Sequence, residues 1–141
     1  MTYHEIVAEW QGELNFLGKN DLGNSIQMGS KGNKGNISPM ELLLLGLAGC
    51  TGYDVVSILK KKRQPLKDFK VKVRGIRAED YPMVYTDIKV EYQLWGDGLS
   101  KKAVEQAIEL SESKYCSASV MLGEIAEITS FYKIFEESDG E

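Results

Sequence analysis

The sequence predicts an α+β fold in the order βββ-α-ββ-α-α-β. Three observations carry that reading. Period-two stretches lie on both sides of one long apolar segment, that segment opens on Ser38-Pro39-Met40-Glu41, and strands and helices fall in blocks rather than in strict alternation. The 141 residues, 43% hydrophobic and 27% charged, describe one domain spanning residues 1–141. A chain of this length buries roughly 70% of the surface it exposes unfolded, enough for a core without metals or disulfides.

His4, Ile6, Ala8 and Trp10 alternate with Tyr3, Glu5, Val7 and Glu9, the pattern of a half-buried strand that places His4 on one face with Trp10 as a structural residue. Gln11-Gly12 turns the chain into a short second strand around Leu14 to Phe16. Lys19-Asn20-Asp21 turns it into a third around Leu22 to Met28. Residues 29–37 are rich in Gly, Ser, Lys and Asn. No Gly-Lys-Ser/Thr closes this stretch, so it reads as a mobile surface loop and not as a phosphate cradle.

Ser38 and Glu41 form a capping box around a proline at the first helical position. The helix that follows, Leu42 to about Lys62, is apolar on nearly every side through Val56, which marks a central core element. Its glycines at positions 46, 49 and 52 each cost about 1 kcal/mol relative to alanine, so a close neighbour must offset them. Lys60 to Arg63 suit the negative end of the helix dipole, and Pro65 prevents continuation.

Phe69, Val71 and Val73 alternate with charged residues until Gly75-Ile76 breaks phase as a bulge does. Ile88, Val90, Tyr92 and Leu94 alternate in the same way, and the two strands predict an antiparallel hairpin with one wet face. Ser100 caps a second helix running to about Ser113, with Leu99 and Val104 as a staple and Val104, Ala107, Ile108 and Leu110 buried. A short helix around Ala118 to Leu122 ends at Gly123. A last strand, about Ile125 to Phe135, leads to an acidic tail expected to be disordered.

Seventeen Lys and Arg against 21 Asp and Glu give a net charge of −4, which argues against nucleic acid as a partner. The start of the chain lacks a basic then apolar leader, and the longest apolar run, Leu42 to Ala48, falls short of the ~20 residues of a membrane span. Two cysteines and one histidine make no zinc cage, so no metal is expected. The expectation is a cytoplasmic protein whose chemistry, if any, is thiol chemistry.

Cys50 lies mid-helix, where Asp54 one turn on opposes its ionisation. Cys116 sits between two helical pieces, at the N-terminus of the second, where exposed N–H groups favour a thiolate. On composition alone each reads first as a small buried hydrophobe. Glu41 stands nine positions before Cys50, roughly 13–14 Å along the helix and on the opposite side, so it caps and does not touch the thiol.

Ser38-Pro39-Met40-Glu41-Leu42-Leu43-Leu44, then Gly46 to Val55 around Cys50, and Lys114-Tyr115-Cys116-Ser117 together resemble the OsmC/Ohr family along essentially the whole chain. The resemblance implies an intertwined homodimer with antiparallel sheets built by both chains around paired central helices. It implies thiol-based reduction of organic or hydrogen peroxides in oxidative-stress defence, with Cys50 peroxidatic, Cys116 resolving, and an external lipoyl-type dithiol as reductant instead of a bound cofactor. Thr51, Tyr53, Asp54 and Tyr115 are then the residues expected to shape the thiol environment.

The peroxidases of that family carry a glutamate directly after the proline, where this chain has Met40. They also carry an arginine in the N-terminal third, whereas the first arginine here is Arg63. Lys31 and Lys34 offer positive charge without arginine's bidentate fork. The chain therefore resembles a subgroup that keeps both cysteines but not the Arg/Glu pair. A non-catalytic small-ligand-binding protein and a reversible disulfide switch are the alternatives to a peroxidase.

Overall fold

The computed structural model describes residues 2–136. The expected acidic tail, from residue 137 on, lies outside the described residues. The chain divides into two compact units between Leu43 and Leu44.

In the first unit β1 (Ile6–Trp10), β2 (Phe16–Asn20) and β3 (Ser25–Met28) form an antiparallel sheet in that order. The first turn places Gly12 at φ 98° and Glu13 at φ 51°, and the Trp10 indole N–H donates to the Glu13 carbonyl at 2.8 Å. The Asn20 side chain builds the second turn, its Oδ1 accepting the N–H groups of Leu22 and Asn24. Both hairpins follow the expected order, with strand boundaries displaced by a few residues.

The half-buried strand expected at the start is not half-buried. Every residue of β1 is exposed, and His4 is exposed ahead of the strand. Alternation marks one face as suited to burial, but burial needs a covering layer, and this unit supplies none. The loop after β3 folds back on itself: Met28 bridges Ile37, and the Asn36 amide donates to Asn15 Oδ1 at 2.9 Å. A Cβ at Gly29 would run into the Asn36 side chain, so glycine is needed there for close approach.

Helix α1 spans Pro39–Lys61. Ser38 N–H donates to Glu41 Oε1 at 2.9 Å and Glu41 N–H to Ser38 Oγ at 3.1 Å, the reciprocal cap read from the sequence. At its far end Arg63 takes φ 58° and Gln64 N–H returns to the Leu59 carbonyl. By length and composition alone α1 is able to cross a membrane, although its longest unbroken apolar run is not. It is the core helix of the fold. Leu47, Thr51, Val55 and Leu59, four residues apart, are sunk in the core, whereas Leu43, Leu45 and Tyr53 are largely exposed. One stripe is buried, not the whole circumference.

In the second unit β4 (Asp68–Arg77) and β5 (Tyr85–Trp95) pair antiparallel, with a register shift at Ile76/Arg77 next to the expected bulge. Ile88, Val90, Tyr92 and Leu94 of β5 are fully or almost fully buried. The last strand, β6 (Glu127–Phe135), pairs parallel to β5, which corrects the expectation of wholly antiparallel sheets. A parallel neighbour requires a long crossover, and the helical stretch between β5 and β6 provides it.

That crossover holds α2 (Lys101–Leu110), a π-helical turn (Ser111–Tyr115) and α3 (Ser117–Gly123). Ser100 Oγ accepts the Ala103 N–H at 3.1 Å, as its cap role predicts. Ala103, Ala107 and Ser111 continue one buried stripe, leaving Leu110 39% exposed where burial was expected. The π turn, closed by Cys116 N–H donating to the Ser111 carbonyl at 2.7 Å, ends α2 earlier than the sequence indicated.

Candidate functional site

The π turn and α1 together place the two thiols. Cys50 projects half-buried from the middle of α1, and Cys116 is fully buried at the start of α3. Both are free, and they lie near each other. Cys116 caps α3 through its sulfur, which accepts the Ser119 N–H at 3.3 Å. Burial pushes the Cys116 thiol above its usual range, and the nearby Cys50 pushes the same way. The hydrogen bond from Ser119 pulls it down by less. A helix N-terminus favours a thiolate here, but desolvation outweighs it.

Directly beside Cys50 a buried hydroxyl network crosses the unit. Thr51 Oγ1 stands 2.8 Å from the Tyr92 hydroxyl and 2.7 Å from Ser111 Oγ. Asp54 Oδ2 lies 3.0 Å from Ser111 Oγ, Glu112 Oε2 lies 2.6 Å from the Tyr92 hydroxyl, and Ser130 Oγ donates to Glu112 Oε1 at 3.1 Å. Thr51, Tyr92 and Ser111 are shut off from solvent. Burial, reinforced by Glu112, drives the Tyr92 phenol well above its usual range.

Of the residues expected around the thiols, Thr51 and Asp54 join this network, Asp54 through Ser111. Tyr53 points away: it is 77% exposed and lines an outer groove. Tyr115 is half-exposed beneath the Lys114 ammonium and lines a surface depression with Asp54, Lys61 and Lys62. Ser38 and Glu41 serve the cap in the first unit. Tyr92, Ser111 and Glu112 were missed. Tyr92 carried a signal, a hydroxyl on the inward face of an alternating strand that must find a partner. Ser111 and Glu112 looked like an ordinary helix end. Among the described residues no group of three His, Cys, Asp or Glu is arranged to hold a metal.

Chemically, the arrangement offers two neighbouring thiols, one sulfur more open than the other, against a hydrogen-bonded polar wall. A family model described as OsmC-like protein matches residues 31–130, and these include both cysteines and the entire network. The chain belongs to the OsmC-like family. This OsmC-like chain is 40% identical over 128 residues to Protein YhfA of Escherichia coli strain K12, covering 90% of the chain and 95% of that relative. A crystal structure of a hypothetical protein from Aquifex aeolicus VF5 superposes with a TM-score of 0.88 at 37% identity, over 98% of this chain and 100% of that one. The organic hydroperoxide resistance protein OhrB of Bacillus subtilis shares the OsmC-like fold at a TM-score of 0.63 and 15% identity, over 94% of this chain and 98% of that one.

Proposed function

We propose that this OsmC-like chain is a cytoplasmic thiol-dependent peroxidase working as a homodimer in oxidative-stress defence. The observation that carries the reading is the proximity of Cys50 and Cys116, two thiols far apart in sequence and held on different elements. The more open Cys50 meets the peroxide. Its thiolate attacks the terminal oxygen, an S–O bond forms as the O–O bond breaks, and an alcohol leaves once its oxygen is protonated. The resulting sulfenic acid condenses with Cys116, releasing water and leaving a disulfide. An external dithiol of lipoyl type restores both thiols by exchange and is itself oxidised.

The homodimer is supported by what α1 leaves uncovered. Gly46 and Gly49 face open space, so nothing among the described residues offsets their cost to the helix. Gly52 alone of the three has close neighbours, Val71 and Phe69. Leu45, Gly49, Tyr53 and Phe69 line an apolar groove of about 600 Å³ along that face, which suits the same face of a second copy.

A reversible disulfide switch is the second reading. It is favoured by the burial that holds the Cys116 thiol protonated and slows exchange. One assay separates the two: peroxide consumption driven by a dithiol such as dihydrolipoamide. The peroxidase consumes many equivalents per chain and loses this with Cys50→Ser. Consumption of a single equivalent supports the switch, and a rate unchanged by Cys50→Ser ends both readings.

A further inference from the structure

Charge is unevenly placed on the second sheet. Successive side chains of β4 point to opposite faces. Phe69 and Val71 lie against Gly52 of α1, so Lys70, Lys72 and Arg74 stand on the outer face, and all three are exposed. The register carries that face across β5 to β6. Lys70 pairs with Gln93 and Gln93 with Lys133, Lys72 with Glu91 and Glu91 with Phe131, Arg74 with Lys89 and Lys89 with Thr129. These rungs gather five cations and one carboxylate in a chain whose net charge is −4. That carboxylate, Glu91, is already engaged by Lys133 at 3.5 Å and by Gln93 at 2.9 Å. Asp68 bounds the stripe at one end, and Asp87 and Glu127 bound it at the other.

Two features separate this stripe from an ordinary solvated face. Arg74 and Lys89 are direct cross-strand partners, and like charges so placed are destabilising. Lysines on an edge strand discourage pairing with other sheets, which accounts for β4, but Lys89 stands on the central strand of the three. An anion laid over Arg74 and Lys89 relieves their repulsion. The other feature is aromatic. Phe131 and Phe135 flank Lys133 on the same face of β6. Phe131 is 50% exposed, and Phe135 stacks on Trp95 with ring centroids 4.9 Å apart. Lys70 Nζ lies 5.4 Å from the centre of that Trp95 ring. The cationic strand and the aromatic strand are thus two strand spacings apart, about 10 Å.

We propose that this outer sheet face binds single-stranded nucleic acid, with phosphates along β4 and a base stacked on Phe131. Lys70, Lys72 and Arg74 recur about every 7 Å along their strand, a row of cations for successive backbone charges. Every base presents a π-face, so an exposed phenylalanine accepts bases without regard to sequence. A duplex hides those faces, and its grooves admit a helix or a two-stranded ribbon rather than a three-stranded face. Net charge argues against such a partner only as an average over the whole surface, whereas binding follows the local surplus. Helix α1, which carries Cys50, packs on the other side of the sheet, so the proposal stands apart from the peroxidase reading.

The test is fluorescence anisotropy of labelled oligouridine and oligothymidine, titrated with the reduced full chain across a salt series. Either or both single strands bind, more tightly than a duplex of the same length. The logarithm of the binding constant falls against the logarithm of salt with a slope no steeper than about −3.5, at about 0.7 per phosphate neutralised. Lys72→Ala weakens binding and makes the slope shallower by about 0.7. Phe131→Ala weakens binding about fivefold or more at an unchanged slope, and Phe131→Tyr restores it. Both side chains are exposed, and an unchanged melting temperature shows each variant folded. Absence of binding at low salt, heparin or phosphatidylserine vesicles bound as tightly as the single strands, or affinity indifferent to Phe131→Ala overturns the proposal. No peroxide enters this measurement, so its failure is distinct from failure of the peroxidase reading.

Discussion

The Cys116 sulfur accepts the Ser119 N–H at 3.3 Å, so the buried thiol is also the cap that starts α3. Cys116→Ala removes this acceptor and should lower unfolding free energy by about 1 kcal/mol, the usual cost of a lost N-cap. Cys116→Ser keeps an oxygen in place and should lose less. Urea denaturation of the three reduced proteins provides the comparison.

The same thiol makes the chain sensitive to alkali. Its pKa is raised in the folded state, mainly by burial, so folding strengthens proton binding. Between the ordinary thiol value and the raised one the folded chain binds more protons than the unfolded chain. Stability from this source is complete below the unfolded value and is lost as pH rises through the folded value. Cys116→Ala should therefore flatten the onset of alkaline destabilisation. Tyr92 and Tyr132, the latter pushed up to about 12, should leave the steeper loss at higher pH in place. Thermal unfolding across alkaline buffers measures both.

At the start of α1 the cap works in the acid direction. The Ser38 N–H holds the Glu41 carboxyl below its usual range, so this bond stabilises above the unfolded value and is lost as pH falls through the folded one. Glu41→Gln should reduce the acid dependence of stability below about pH 4.5. Ser38→Ala should cost about 1 kcal/mol. Acid titration of unfolding midpoints tests the first, and urea denaturation at neutral pH the second.

Thr51 joins Tyr92 and Ser111, and neither partner can reach water. Thr51→Val keeps the shape and removes one partner from each hydroxyl, leaving Tyr92 on Glu112 and Ser111 on Asp54, at a cost on the order of 1 kcal/mol. Thr51→Ser keeps the hydroxyl and should fall much nearer the wild type. Calorimetric unfolding distinguishes them, and equal losses in the two variants would contradict the role given to the hydroxyl.

Gly49 faces open space within one chain. Gly49→Leu should then leave the isolated chain folded, since leucine is the better helix former, but it fills the groove proposed to receive a second copy. Sedimentation velocity should show the wild type as a dimer and the variant shifted towards monomer. A wild-type monomer at micromolar concentration contradicts the proposed assembly.

Much of this fold is legible because its signals are short-range. Ser38 and Glu41 meet within one turn, Ser100 reaches three residues to Ala103, and Ile88 to Leu94 declare their inward face by period two. Such contacts depend on neighbours within about four residues, so the sequence by itself determined the α+β order, both helix caps and the β4–β5 hairpin. It also marked Cys50 and Cys116 as the thiols to watch, and the family resemblance alone implied that they work as a pair.

What the folded chain added is set by long-range closure. Whether β6 lies parallel or antiparallel depends on where the crossover returns, and that is a property of helix packing rather than of residues 127–135. The π turn exists because Ser111 must stay on the buried stripe while Cys116 swings to the start of α3. Thr51, Tyr92 and Ser111 share one hydroxyl network although they lie on three different elements. No periodicity encodes such a meeting. It arises when each buried hydroxyl, shut off from water, must find its partner among whatever groups the core brings within reach.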